Sequence, residues 1–236
     1  MRPAKARGFT MVEMATVIAI IVVVTVLSWD LMRRGRPRAD FDSTTNEIQS
    51  LVHQARQEAL AYGRQVAVMV FPDYANGKST GRIIVLRDDS DQNFLNNAST
   101  TLTFGQYDPS VLQAPTNGVD SGEVISTFDL PSNVLVGPAT GYGQALFFPY
   151  ASITVTADCS FCIGGGDRRG AIVFDGGGQT SFWYLAGTTI TEQDPSTTTG
   201  GSFSIYSTDL PIGTTYTTST FVITSPQGSV RTFHNG

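Results

Sequence analysis

Charge is scarce in this chain. Only 15% of its 236 residues are Asp, Glu, Lys or Arg, against roughly 25% in an average soluble domain. The net charge is −5 and the isoelectric point about 4.9. That balance argues against a broad nucleic-acid footprint, which needs a Lys/Arg excess to neutralise phosphates. Histidine occurs twice, as His53 in a helical stretch and His234 two residues from the end. Neither has a nucleophile or carboxylate neighbour that the sequence can place, and there is no G-x-S-x-G elbow. No catalytic constellation follows, and the chain is expected not to be an enzyme and to need no cofactor. The two cysteines, Cys159 and Cys162, could supply half a zinc site at most, and the only other soft ligands are those two histidines. No metal site is therefore expected. No strand-like run is followed by a helix-length amphipathic segment, which argues against a parallel α/β sheet.

What the chain does have is an apolar run near its start. Residues Met1 to Gly8 are short and basic through Arg2, Lys5 and Arg7; Phe9 to Trp29 then carries one charge, Glu13. As a helix this stretch is about 31 Å long at ~1.5 Å per residue, which matches a hydrocarbon core of about 30 Å. A cleaved secretory signal would end in small residues at an A-x-A-like site. Here the run ends in Trp29-Asp30-Leu31-Met32-Arg33-Arg34, so a retained span is favoured. Three basic side chains precede the span, and Arg33, Arg34, Arg36 and Arg38 follow it. Counting basic residues leaves its orientation open.

An ionisable group inside a span is costly and is usually functional. A lipid-buried carboxylate needs a cationic partner or a proton. The ordinary alternative for Glu13 is a carboxylate near the edge of a simple anchor, snorkelling to the interface. The run Lys5-Ala6-Arg7-Gly8-Phe9-Thr10-Met11-Val12-Glu13 resembles the processing site of type IV prepilins and type II secretion pseudopilins. The resemblance implies cleavage by a prepilin peptidase between Gly8 and Phe9 on the cytoplasmic side. It also implies N-methylation of Phe9, and Glu13 as the fifth mature residue, meeting the terminal amine of a neighbouring subunit. Cleavage would remove Arg2, Lys5 and Arg7 and take the net charge from −5 to −8.

Beyond the span, Gly35 and Pro37 predict a bend or break, because Pro lacks the N–H donor and crowds the preceding turn. A second helical stretch from about Ala39 to Tyr62 places Ile48, Leu51, Val52, Ala55, Ala59, Leu60 and Tyr62 on one face, with Gly63 as its C-terminal cap. The remainder reads as antiparallel β. Candidate strands are Gln65–Phe71, Arg82–Arg87, Thr100–Phe104, Ser126–Asp129, Asn133–Val136, Ala145–Phe148, Ser152–Thr156, Ala171–Asp175, Thr180–Leu185, Ser202–Ser207, Phe221–Ser225 and Val230–Phe233. The abundant Ser and Thr read as strand surface. The expected fold is thus α+β: a long N-terminal helix, kinked near Gly35-Pro37, on a C-terminal antiparallel sheet or sandwich. Its parts would be a leader (1–8), a transmembrane and assembly helix (9–31), a helical continuation (32–63) and a β-rich domain (64–236).

Two further segments narrow the resemblance. Ile48–Phe71, with its Ala55-Arg56-Gln57-Glu58-Ala59 step leading into a Val-rich strand, is similar to the helix-to-strand segment of the GspH/FimT group of minor pseudopilins and minor pilins. Phe221–Arg231 resembles that group's terminal hairpin, with Ser229 where an Arg is usual. The resemblance implies a structural subunit of a type IV pilus or type II secretion pseudopilus, at the tip or in a priming complex. Its partners would be other major and minor pilins or pseudopilins, the prepilin peptidase, the inner-membrane assembly platform and the lipid bilayer. Location in a bacterial inner membrane follows, single-pass, with a cytoplasmic N-terminus and a periplasmic domain that later joins the filament. The alternative is a tip subunit for recognition, an adhesin or DNA-uptake module, using Asp73–Gly170. DNA capture would call for a local basic cluster, and only Arg168, Arg169 and Arg231 approach one.

Three smaller motifs have ordinary readings beside the sharper ones. Cys159-Ser160-Phe161-Cys162 sits before a Gly run, whereas a redox Cys usually sits at a helix start; outside the cytoplasm a structural disulfide is the expectation. Asp88–Asn93 lacks the Gly that a calcium loop needs at its sixth position and reads as a solvated acidic turn. Gly164–Gly170 lacks the helix that a phosphate cradle requires and reads as a loop.

Overall fold

The structure is a computed structural model that describes residues 10–77, 79–88, 107–110, 122–137, 159–162, 168–186, 189–193, 200–210 and 218–234, with the backbone alone at 30–36, 79, 88, 122, 185–186 and 189–190. The fold is broadly α+β. Among the described residues an N-terminal helix, α1 (Met11–Tyr62), is followed by ten strands: β1 (Val66–Ala75), β2 (Ser79–Asp88), β3 (Gly122–Pro131), β4 (Val134–Val136), β5 (Gly170–Phe174), β6 (Thr180–Ala186), β7 (Thr189–Glu192), β8 (Gly200–Ser207), β9 (Thr218–Thr224) and β10 (Val230–His234). The expected strands at Thr100–Phe104, Ala145–Phe148 and Ser152–Thr156 lie outside the described residues.

The break expected at Gly35–Pro37 is not there, since α1 continues through Pro37. A proline removes one i→i−4 bond at a cost of about 3 kcal/mol, and the turns on either side keep their ladders. The chain nevertheless divides into two compact units, the first ending at Asp40 and the second spanning Phe41–Gly236. Helix residues 41–62 therefore belong to the same unit as the strands. Their spacing explains it: Phe41, Ile48, Leu51, Val52, Ala55 and Ala59 recur at helical intervals and are all buried. Leu60 and Tyr62, expected on that face, are half exposed or more. They occupy the last turn, where the Tyr62 ring lies 4.1 Å from the Arg87 guanidinium. Gly63 ends the helix at φ +63°, the left-handed conformation that glycine reaches without a Cβ penalty.

The strands form two antiparallel sheets. One has the order β3-β2-β1-β5-β6-β7, the other β10-β9-β8-β4. Alternation along β1 sends Val66, Val68 and Val70 into the core shared with α1 and the second sheet, where Phe203, Ile205, Phe221 and Ile223 meet them. The alternate residues Ala67, Met69 and Phe71 face outward. There they join Ile84, Leu86, Val173 and Trp183 in a second apolar cluster against Tyr107. β1 is apolar on both faces because both faces are covered. Its register with β2 slips between Phe71 and Ala75, where Pro72 has no N–H to give to a ladder.

Several hydroxyls expected on strand surfaces are in fact buried, among them Ser202, Ser204, Ser219 and Thr220. They are tolerated because partners satisfy them. Ser204 and Thr220 share a cross-strand hydrogen bond of 2.8 Å, and Ser219 Oγ lies 3.0 Å from His234 Nδ1. The β5–β6 turn is tied by Asp175, whose Oδ1 accepts from the amides of Gly177 at 2.9 Å and Gln179 at 2.7 Å. It docks on the helix end, where a Cβ at Gly176 would come within 2.5 Å of the Gly63 carbonyl oxygen.

Candidate functional site

The candidate site begins where the apolar run does. Gly8 and Phe9 lie outside the described residues. From Thr10 to Trp29 every residue is exposed, and Met11–Trp29, of mean hydropathy 2.5, is long and apolar enough to cross a membrane. Its isoleucines, valines and leucine are apolar all round the helix, so no face is marked for a soluble core. Two threonines interrupt the run. Thr16 donates its hydroxyl to the Glu13 carbonyl at 2.9 Å and Thr25 to the Ile21 carbonyl at 2.7 Å. Back-bonding of this kind lets a hydroxyl sit in an apolar medium without water.

Glu13 has a local role that its spacing spelled out and the reading of the sequence missed. Its Oε2 accepts the Thr10 amide at 2.8 Å and the Thr10 hydroxyl at 2.9 Å. The Glu13 amide donates in return to Thr10 Oγ1 at 3.3 Å. Thr10-x-x-Glu13 is thus a capping box, two orphan donors of the first turn being satisfied reciprocally. The box holds the carboxylate at the head of the helix, close to the chain that leads back to Phe9. It supplies hydrogen bonds to one oxygen but no positive charge.

Two segments distant in the sequence, Ile48–Phe71 and Phe221–Arg231, meet in space. A Cβ at Gly228, in the β9–β10 turn, would press on Thr180 Oγ1 and on the Phe174 ring, and would come within 3.4 Å of Arg56 Nε. Arg56 comes from the helix and Gly228 from the terminal hairpin, so the small residue and the arginine are packing partners. Thr180 fixes the turn by donating its amide to the Pro226 carbonyl at 3.0 Å, and Ser225 donates its hydroxyl to the Thr180 carbonyl at 2.9 Å.

Among the described residues, Arg168, Arg169 and Arg231 do not combine into one surface cluster. Arg168 is paired with Asp73, 2.7 Å from Nη2 to Oδ1, and that guanidinium holds the Asp73 carboxyl below its ordinary range. Arg169 is buried, donates to the Tyr107 carbonyl at 2.8 Å and lies over the Phe71 ring. Arg231 is exposed on β10. A residue that sequence reasoning passed over is Arg82. Buried on β2, it pairs with Asp129, donates to the Pro109 carbonyl at 2.6 Å and lies 4.3 Å from the centre of the Tyr74 ring. Together Arg82 and Arg169 hold the Tyr107–Ser110 turn over the outer face of the six-stranded sheet. Burial pushes the Tyr107 phenol up. An alternating strand predicts an outward Arg82, but nothing in the sequence points to Pro109.

Cys159 and Cys162 are joined as a disulfide and both are buried. His53 is exposed on α1. Of the acidic segment 88–93 only Asp88 falls within the described residues, and of the Gly-rich segment only Arg168, Arg169 and Gly170 do. Most of Asp73–Gly170, where the alternative recognition reading would put its site, likewise lies outside them. Among the described residues no group of three His, Cys, Asp or Glu side chains could hold a metal ion. No family model, curated protein or solved structure matches the chain.

Proposed function

We propose that this protein is a pilin-like subunit, cleaved between Gly8 and Phe9 and anchored by residues 9–31. It is assembled through that helix into a type IV pilus or a type II secretion pseudopilus, with the β domain outside the cytoplasm. The observation that carries the reading is the placement of Glu13: one carboxylate, five residues beyond Gly8, at the head of an apolar run, Met11–Trp29, long enough to cross a membrane. The capping box supports it by giving one carboxylate oxygen, Oε2, two hydrogen bonds from Thr10 within the protomer. The charge is left to be met by the freed amine of a neighbouring Phe9. An isolated carboxylate in lipid is expensive, so docking of the two charges favours assembly over the separated subunits. The reading as a minor subunit of the GspH/FimT kind rests on the sequence resemblance of Ile48–Phe71 and Phe221–Arg231 alone. The proposed role is structural rather than catalytic.

Glu13→Ala tests the charge and Glu13→Gln tests the charge with hydrogen bonding largely kept. Both variants should insert into the membrane normally. Both should appear in sheared filament or pseudopilus fractions at less than about a tenth of the wild-type amount, as expected from losing one charge-assisted contact. Normal incorporation of both would overturn the proposed pairing.

A further inference from the structure

The Cys159–Cys162 loop joins the two sheets, and its placement points beyond a simple staple. Strand β4 covers only the Val136–Ile205 end of β8's free edge and the pairs beyond it. Gly137 N then donates to the Ser204 carbonyl at 2.7 Å, and Ser160 N to the Ser202 carbonyl at 2.8 Å. Cys159 bridges Phe203, and Ser202 N donates back to Ser160 Oγ at 2.8 Å. The loop therefore continues the edge that β4 leaves open. From its tip Phe161, fully buried, enters the core. Its ring lies 5.4 Å from Phe182 of the six-stranded sheet and 6.3 Å, edge-on, from Phe203 of the four-stranded one. Two glycines make room for it: a Cβ at Gly170 would stand 2.7 Å from the Phe161 ring, and one at Gly201 3.0 Å. Each sheet thus contributes one aromatic wall and one glycine gap.

We propose that the Cys159–Cys162 bond is an oxidation-dependent lock that holds Phe161 between the sheets, so that this end of the domain closes only where a disulfide-bearing oxidant can act. The two thiols release two protons and two electrons and one S–S bond forms; the oxidant's disulfide accepts them and leaves as two thiols. With the bond formed, both cysteine residues are 5% exposed or less, which shields the finished bond from thiol attack. The lock itself does not depend on the pilin-like reading. Only its timing, after the domain has crossed the membrane, rests on that reading.

The test is a cycle on the purified full chain in detergent: wild type, Phe161→Ala, Cys159→Ala/Cys162→Ala, and the triple variant, followed by amide hydrogen exchange at Ser160 and Ser202. Opening the lock should speed exchange at these amides by about tenfold or more in the wild-type background, and by less than about twofold once Phe161 is gone. Exchange within β1 and β2 should hardly change. Equal factors in both backgrounds would overturn the proposal, because a bond that merely restricts the unfolded chain acts with or without the ring. Should Phe161→Ala not fold, Phe161→Leu replaces it, with an intermediate factor expected and an undiminished one contradicting the lock. Membrane location enters none of these readouts, so failure here and failure of the pilin-like reading are separable.

Discussion

The two halves of α1 share one secondary structure and differ in almost everything else. Met11–Trp29 is exposed throughout and apolar on every side; Phe41–Tyr62 buries one stripe and turns Gln54 and Gln57 to solvent. Helix formation is thus common to both, and the side-chain pattern decides the medium. An all-round apolar helix of this length suits lipid or the inside of a helical assembly, whereas a stripe suits one protein core.

The sharpest way to break this contrast is to truncate matching side chains. Phe41→Ala, in the core, should cost the domain about 3–5 kcal/mol, read by thermal or denaturant unfolding in detergent. Ile20→Ala, in the apolar half, should leave that midpoint unchanged. Charge reverses the comparison. Val23→Asp should raise the cost of membrane insertion by about 2.5–3.5 kcal/mol, seen as loss from the membrane fraction, while Gln57→Arg on the exposed helical face should change neither insertion nor stability measurably.

Smaller effects belong to the sheets. Asp129→Ala should cost about 1–3 kcal/mol, since it strips the buried Arg82 guanidinium of its carboxylate. It should also loosen the Tyr107–Ser110 turn, read as faster amide exchange there. The smallest effect is on acid stability. Arg168 lowers Asp73, and hydrogen bonds from Ser110 lower Asp108. A depressed folded-state value contributes stability above the ordinary carboxylate value of about 3.9 and loses it as pH falls through the folded value. The unfolding midpoint should therefore drop on acidification below about pH 4, and less steeply in Asp73→Asn. Both carboxylates are at the surface, so the change should be small.

The regular elements were legible because their periodicity is strong. The helical face from Ile48 to Ala59 and the alternation of β1 and β2 needed no tertiary information. Gly63 marked the helix end for a backbone reason that any sequence shows. β7 was missed because Thr189–Glu192 offers one apolar residue in four, too little to show a period. The capping box was legible and passed over, since Glu13 was weighed for its partner across subunits rather than for Thr10 three residues away. Phe161 as a wedge was not legible at all. Its walls, Phe182 and Phe203, and its gaps, Gly170 and Gly201, lie far apart in the chain and converge only in the folded sheets. The same holds for Arg82 and Pro109, and for Arg56 and Gly228.

The account stands or falls on the start of the chain, and intact mass of the protein extracted from membranes of its native host tests it most directly. The predicted mass lacks residues 1–8 and carries one added methyl group on Phe9. A full-length mass, or a chain cut near Trp29, would contradict it.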